Sequence, residues 1–183
     1  DGWVSGIIRV ADGLLVIVDL AEDALIQLEL ILEQLERWNI RTRPEQSDEF
    51  RGITRRAIVV ANKKDLPGAG ENFGKLKEGF GNLYPMVAVS CLRKEGLEDL
   101  KQEIFRLSGV IRVYSKPPGK PPDLSMPFTV PVGCTVTELA EKIHKEVVMK
   151  MKFARIWGSA KFEGMKVERN YVLKDRDIVE INS

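Results

Sequence analysis

From residue 13 onward, short unbroken apolar runs alternate with longer stretches in which apolar residues return every three or four positions. GLLVIVDL (13–20) has no polar face and ends on a carboxylate, the pattern of a parallel strand buried on both faces. AEDALIQLELILEQLERW (21–38) follows, with Leu25, Leu28, Ile31, Leu32, Leu35 and Trp38 at helical spacing and acidic residues in its first turn. A polar, arginine-rich stretch over 39–56 breaks the pattern and reads as a loop with room for a short helix. AIVVA (57–61) and MVAVS (86–90) predict two more buried strands. Between and after them, ENFGKLKEGF (71–80) and EGLEDLKQEIFRL (95–107) predict helices, the former weakened by its glycines. Strand and helix in alternation imply a parallel sheet with right-handed crossovers, whose ligands lie at the carboxyl ends of the strands.

After Gly109 the texture changes. VIRVYS (110–115) predicts a strand, KPPGKPPD (116–123) a stiff extended loop, and PFTVPVG (127–133) a second strand. CTVTELAEKIHKEV (134–147) places Thr135 and Glu138 at capping-box spacing, with Val136, Leu139, Ala140, Ile143 and Val147 on one face. FARIW (153–157) and DIVEI (177–181) supply later strands. A small mixed sheet wrapped on one helix is the expected result. The chain therefore reads as two domains, 1–108 and 109–183.

Charge supports the division. Residues 1–109 carry a net −3 and residues 110–183 a net +4 within an overall +1, so the second module is the one drawn to polyanions. The longest apolar run, LLVIV (14–18), is far shorter than the ~20 residues a membrane helix needs, which excludes that class of partner. Two cysteines, Cys91 and Cys134, make no disulfide framework, and a reducing cytoplasm is the expected compartment. DGWVSGIIRVADG (1–13) reads as a helix entered partway along, so the chain is expected to be a piece of a longer protein.

The chemistry concentrates where the second strand ends. Asn62-Lys63-Lys64-Asp65 follows AIVVA directly, at the edge where such sheets bind ligands. The Asp65 carboxylate can accept two parallel hydrogen bonds, from the ring N–H and the exocyclic amine of guanine. Adenine offers an acceptor in place of that ring N–H, so sites built on this pairing reject it by roughly 10⁴-fold. Asn62 can bridge neighbouring loops and approach the base, and the aliphatic stem of Lys63 can cover its face. The competing reading is a solvated turn after a strand. Val89-Ser90-Cys91-Leu92 ends the next strand, where the other half of a guanine pocket belongs. There Ser90 can brace Asp65, and the Cys91 N–H can reach the guanine carbonyl oxygen; the competing reading is a strand terminus with a small buried thiol.

These segments resemble a known family. IIRVADGLLVIVDL, VVANKKDLPG and VSCLRKEGLEDLKQEIF are similar to the latter half of an Obg-type GTPase domain, above all in its developmentally regulated GTP-binding branch. The tail from Val110, with IRVYSKPPGKPPD and VLKDRDIVEIN, resembles the TGS domain of those proteins, a module shared with threonyl-tRNA synthetases and stringent-response enzymes. The resemblance implies a fold: part of a P-loop GTPase-type parallel sheet with flanking helices, then a small α+β ubiquitin-like β-grasp. It implies that Asn62, Lys63 and Asp65 form the base-specificity motif and that Ser90 and Cys91 support it. The family more often has alanine at position 91, a change tolerated if the contact is made by backbone. It also implies GTP or GDP with Mg²⁺ as cofactors of the intact parent, with ribosome or RNA and a regulatory protein as partners.

One part of the pattern is absent from the sequence. Such a GTPase needs a G-x-x-x-x-G-K-[ST] loop, a switch threonine and a D-x-x-G aspartate near magnesium. AGENFGKL (69–76) has the Gly-Lys pair but Ala69 and Leu76 at the flanking positions, and Asp65-Leu66-Pro67-Gly68 is the tail of the base motif. These residues alone are thus expected to bind nucleotide weakly and not to hydrolyse it, and no catalytic residue or metal ligand is assigned. The alternative is a non-catalytic RNA- or protein-binding β-grasp module behind a degenerate G domain.

Lys142, Lys145, Lys150, Lys152, Arg155 and Lys161, with Phe153 and Trp157 among them, make a candidate RNA-facing run. Equally open is a solvated helix followed by a strand whose aromatics are core. His144, the single histidine, has no chemical partner in the sequence and reads as a surface helix residue.

Overall fold

A computed structural model describes residues 2–42 and 51–182. The chain divides between Ser108 and Gly109 into two compact units, and each is described by itself.

The first unit opens with helix α1 (Gly2–Val10) and strand β1 (Gly13–Asp19). Helix α2 (Ala24–Arg37) starts three residues later than its apolar periodicity allows, because the Asp23 carboxylate caps it, accepting from the Leu25 and Ile26 N–H groups at 3.1 Å each. The stretch expected to be a loop contains two short strands instead, β2 (Ile40–Arg41) and β3 (Ile53–Thr54), paired in parallel; residues 43–50 lie outside the described residues. Strand β4 (Arg56–Asn62), helix α3 (Ala69–Phe80), strand β5 (Met86–Ala88) and helix α4 (Leu97–Ser108) complete the unit.

The sheet order is β1-β4-β5, all parallel, with Val16 opposite Val59 and Asp19 opposite Asn62. Helices α2 and α3 cover one face, where Leu28 and Leu76 pack on Val16, Val18, Val59 and Ala61. Helix α4 covers the other, where Leu97, Leu100 and Leu107 meet Ile58, Val60 and Val87. Both faces of β4 are therefore dry, which is why its sequence shows no alternation. The same expectation fails for β1. It is an edge strand that α4 meets at Gly13, where Leu107 lies close, and Leu15 and Ile17 farther along that side are 41% and 62% exposed.

The second unit contains strands β6 (Val110–Ser115) and β7 (Phe128–Pro131), helices α5 (Val136–Ile143) and α6 (Lys145–Lys150), and strands β8 (Phe153–Trp157), β9 (Met165–Val167) and β10 (Asp177–Asn182). Its sheet runs β7-β6-β10-β8-β9, with β10 parallel to β6 and antiparallel to β8. An antiparallel hairpin, one crossover helix and a last strand returning to the centre are the ubiquitin-like β-grasp. Val136, Leu139 and Ala140 of α5 press into Ile111, Val113, Ile156 and Val179. The capping box forms as its spacing predicts, Thr135 Oγ1 accepting from Glu138 N–H and Glu138 accepting from Thr135 N–H at 2.7 Å. The helix does not run on to Val147. His144 is extended, with φ −171°, and its Nδ1 accepts from Glu146 N–H at 3.3 Å, starting α6 in a new direction.

Loop 174–176 is pinned to β6 by Asp175, which accepts from Arg112 at its backbone N–H (2.8 Å), Nε (3.1 Å) and a second guanidinium nitrogen (2.6 Å). The guanidinium holds the Asp175 carboxyl below the usual carboxylate range. A depressed carboxyl stabilises the fold above its ordinary pKa and loses that contribution as pH falls through the native value. The urea midpoint of the second unit is therefore expected to fall between about pH 5 and pH 3. Asp175→Asn is expected to cost about 1–2 kcal/mol at pH 7, the lower range for a charged hydrogen bond that is one-third exposed, and to flatten the acid dependence.

Candidate nucleotide-binding site

Strand β4 delivers Asn62 at its last position and the chain then turns sharply. Lys63 takes φ 65°, a left-handed conformation unusual for a residue with a side chain, and Lys64 N–H donates to Val89 O at 3.0 Å, so the loop leans on the strand beside it. Leu66 N–H closes the turn on Lys63 O at 3.1 Å. The Asp65 side chain comes to rest only 7% exposed, with Arg93 Nε 3.6 Å away. The Ser90 hydroxyl beside it, and more weakly the Arg93 charge, hold its carboxyl below the usual range. It is an anion at neutral pH.

The facing loop is built to match. Ser90 is fully buried and exchanges two backbone hydrogen bonds with Glu95, at 3.0 and 3.1 Å, so 91–94 project as a tight loop. Gly96 allows this: it has φ +72°, and a Cβ there would lie 2.4 Å from Ala88 O. Ser90 Oγ accepts from Arg93 N–H at 3.0 Å, which leaves its own proton for Asp65. The Cys91 N–H, expected to face a base carbonyl, donates instead to Asn62 Oδ1 at 3.2 Å. Asn62 thus bridges the two loops, and its amide must share or release that N–H before a base can take it. All five residues singled out in the sequence sit at the carboxyl ends of β4 and β5.

Sequence reasoning missed Asp19. The last residue of β1 lies in register with Asn62, and its Oδ2 is 2.5 Å from Lys63 Nζ. No motif marks it, since carboxylates commonly end such strands. The Gly-Lys pair of 69–76 is plainly helical: Lys75 pairs with Glu71 at 2.8 Å on the exposed face of α3, and Leu76 is fully buried. Among the described residues no three His, Cys, Asp or Glu side chains gather where a metal ion could be held. No helix among them is long and apolar enough to cross a membrane.

The basic run of the second unit does not stay together in space. Lys142 donates to Thr129 O, Lys150 lies 3.9 Å from Glu146 along α6, Lys161 is in the exposed turn after β8, and the Lys145 side chain lies outside the described residues. Lys152 lines an open groove of ≈ 560 Å³ beside Phe153, and Arg155 stands outside that lining with its guanidinium 5.9 Å from the centre of the Phe153 ring. Lys166 joins them with its ammonium 4.3 Å from the centre of the Phe153 ring, and Arg169 lines the same groove. On β8 only Ala154 and Ile156 enter the core; Phe153, Arg155 and Trp157 stand on the opposite face, and Lys116 lies 4.8 Å from the Trp157 ring.

A parallel sheet with these two loops at its carboxyl edge, followed by a β-grasp, defines the class as a GTPase-type α/β domain joined to a ubiquitin-like module. Solved structures share the fold. A GTP-binding protein from Pyrococcus horikoshii superimposes with a TM-score of 0.69 at 18% identity, covering 96% of this chain and 79% of that one. The YchF GTPase of Schizosaccharomyces pombe gives 0.60 at 12% identity, covering 97% and 74%. Residues 111–183 match the TGS domain family. A GTP-binding protein of Methanocaldococcus jannaschii is 38% identical over 130 residues, 68% of this chain and 32% of the relative. The developmentally regulated G-protein 1 of Arabidopsis thaliana is 34% identical over 130 residues, 69% of this chain and 31% of that one. The chain is homologous to the developmentally regulated GTP-binding proteins of the Obg family, and it spans about a third of the length of these relatives.

Proposed function

We propose that the first unit reads the guanine base of GTP or GDP, with Asp65 taking the ring N–H and exocyclic amine, Asn62 and the Cys91 N–H meeting the base edge, and Lys63 covering its face. The observation that carries this is the Asp65 carboxylate, nearly buried yet kept anionic by a serine whose other hydrogen bond is already made. A carboxylate braced in that way keeps acceptor capacity beyond the Ser90 bond, and guanine supplies two donors in the right geometry. The GTP-binding relatives support the same reading. The intact protein is then a GTPase switch. The Mg²⁺ it would use alongside the phosphates finds no ligand set among the described residues, so the proposal concerns the base alone. Titration of the full chain with fluorescent GDP and ADP tests it: weak binding with a clear guanine preference is expected. Equal affinity for both nucleotides would overturn the reading and leave a β-grasp module behind a degenerate domain.

The groove beside Phe153 favours a second role for the other unit, contact with single-stranded RNA, including RNA on the ribosome. The half-buried Phe153 ring, with Lys152 and Lys166 in the groove and Arg155 beside it, offers a stacking surface and phosphate partners together. Lys152→Glu with Lys166→Glu is expected to weaken binding of a short oligonucleotide and lower its salt slope by about one for each phosphate no longer neutralised, read by fluorescence anisotropy. An unchanged slope removes this role.

A further inference from the structure

Lys63 covers a base at a cost unless something fixes its long side chain beforehand, because a free lysine loses much of its rotamer freedom when a ligand orders it. The structure provides the fixture. Lys63 Nζ lies 2.5 Å from Asp19 Oδ2, and Asp19 is itself held by three further hydrogen bonds. Its Oδ1 accepts from Ala21 N–H at 2.9 Å. Its backbone N–H donates to Gln27 Oε1 at 2.9 Å, and its backbone carbonyl accepts from Gln27 Nε2 at 3.1 Å. Leu20 N–H donates to Asn62 O at 2.9 Å, which locks the end of β1 to the residue before Lys63. Helix α2, the end of β1 and the base loop thus form one hydrogen-bonded series.

We infer that Asp19 is a positioning residue of the guanine site: it holds the Lys63 side chain extended before a nucleotide arrives, and so sets affinity while Asp65 sets selectivity. The inference rests on the guanine reading proposed above. Two further features agree with it. The left-handed backbone of Lys63 is a strained arrangement that a fixed side chain helps to retain. The pair is also charged throughout the neutral range, since Lys63 lowers the Asp19 carboxyl and Asp19, with Glu22 nearby, raises the ammonium. Asp19 touches no base in this scheme and acts only through Lys63.

The test is a double-mutant cycle on the full chain, read by titration with fluorescent GDP and ADP. Asp19→Asn is expected to weaken GDP about two- to tenfold, the scale of ordering one long side chain, and to leave the GDP-to-ADP ratio unchanged. In a Lys63→Met background the same change is expected to have no further effect. Asp19→Ser, which keeps an acceptor for Ala21 N–H but cannot reach Lys63, is expected to match Asp19→Asn. The pair is checked without nucleotide by slow exchange of the Lys63 Nζ protons, accelerated in Asp19→Asn. GDP affinity unchanged in Asp19→Asn, a loss that persists in the Lys63→Met background, or an altered GDP-to-ADP ratio each overturns the inference. A wild-type chain with no guanine preference overturns the guanine reading first and this inference with it, an outcome recognisable before any variant is made.

Discussion

Asp65→Ala is expected to bind guanine and adenine nucleotides alike. The substitution removes both acceptors that pair with guanine's ring N–H and exocyclic amine, and it removes the negative charge that adenine's ring nitrogen would face. Most of the roughly 10⁴-fold discrimination such a site can provide should vanish, measured as the ratio of GDP to ADP dissociation constants. The folded loops should survive, because Lys64 and Leu66 hold the turn through backbone hydrogen bonds and Ser90 keeps its bonds to Glu95 and Arg93. The pH dependence follows from the same carboxyl. Its native pKa is lowered, so the ionised form, and with it the guanine preference, persists from neutral pH down past the ordinary carboxylate value of about 3.9. A wild-type preference that is equal at pH 7.5 and pH 5 is the expected result. A preference halved by pH 5 would mean that another group reads the base.

Leu139→Ala is the most damaging single change expected in the second unit. Leu139 is fully buried on α5, the longer of the two helices that pack on this core, against Val113, Ile156 and Val179. Truncating a leucine in such a place costs about 2–5 kcal/mol through lost burial and the cavity left behind. A unit of this size holds only about 4–11 kcal/mol in total. The variant should therefore sit near its unfolding midpoint at 37 °C, seen as loss of the amide signals of β6 and β8 at urea concentrations that leave the parent folded. The first unit should keep its own transition. A shift below 1 kcal/mol would mean that the core closes around the missing side chain.

What the sequence made legible follows from the range over which each signal acts. The β4 run announced its burial because both faces lie under helices, and the Thr135–Glu138 box announced a helix start because its hydrogen bonds are local. The turn after β4 was legible for the same reason: Asn62 to Asp65 lie within one turn of the strand that carries them. The break at His144 was hidden, since Val147 keeps the apolar spacing across it and still packs on the same core. Burial of β1 was overread because Leu15 and Ile17 are as apolar as their neighbours, and only the position of α4 decides which strand it covers. Asp19 was invisible as a site residue because its role depends on register with Asn62 across a crossover. The basic residues failed as a patch for the opposite reason. They are adjacent along the chain, but the strand direction and the α5–α6 bend send them to different faces, and Lys166 reaches the groove from thirteen positions away.

Strand β10 stands between β6 and β8 and is the fifth of the five strands along the chain of its unit. During synthesis, β6 and β7 can pair as a hairpin soon after they emerge, and β8 can pair with β9, but neither hairpin has its central partner yet. The grasp cannot close until the residues up to Asn182 have cleared the ribosome's exit tunnel. Until then the apolar faces of α5 and both hairpins are open to any chaperone or neighbouring chain, and a translational pause before that point would prolong the exposure.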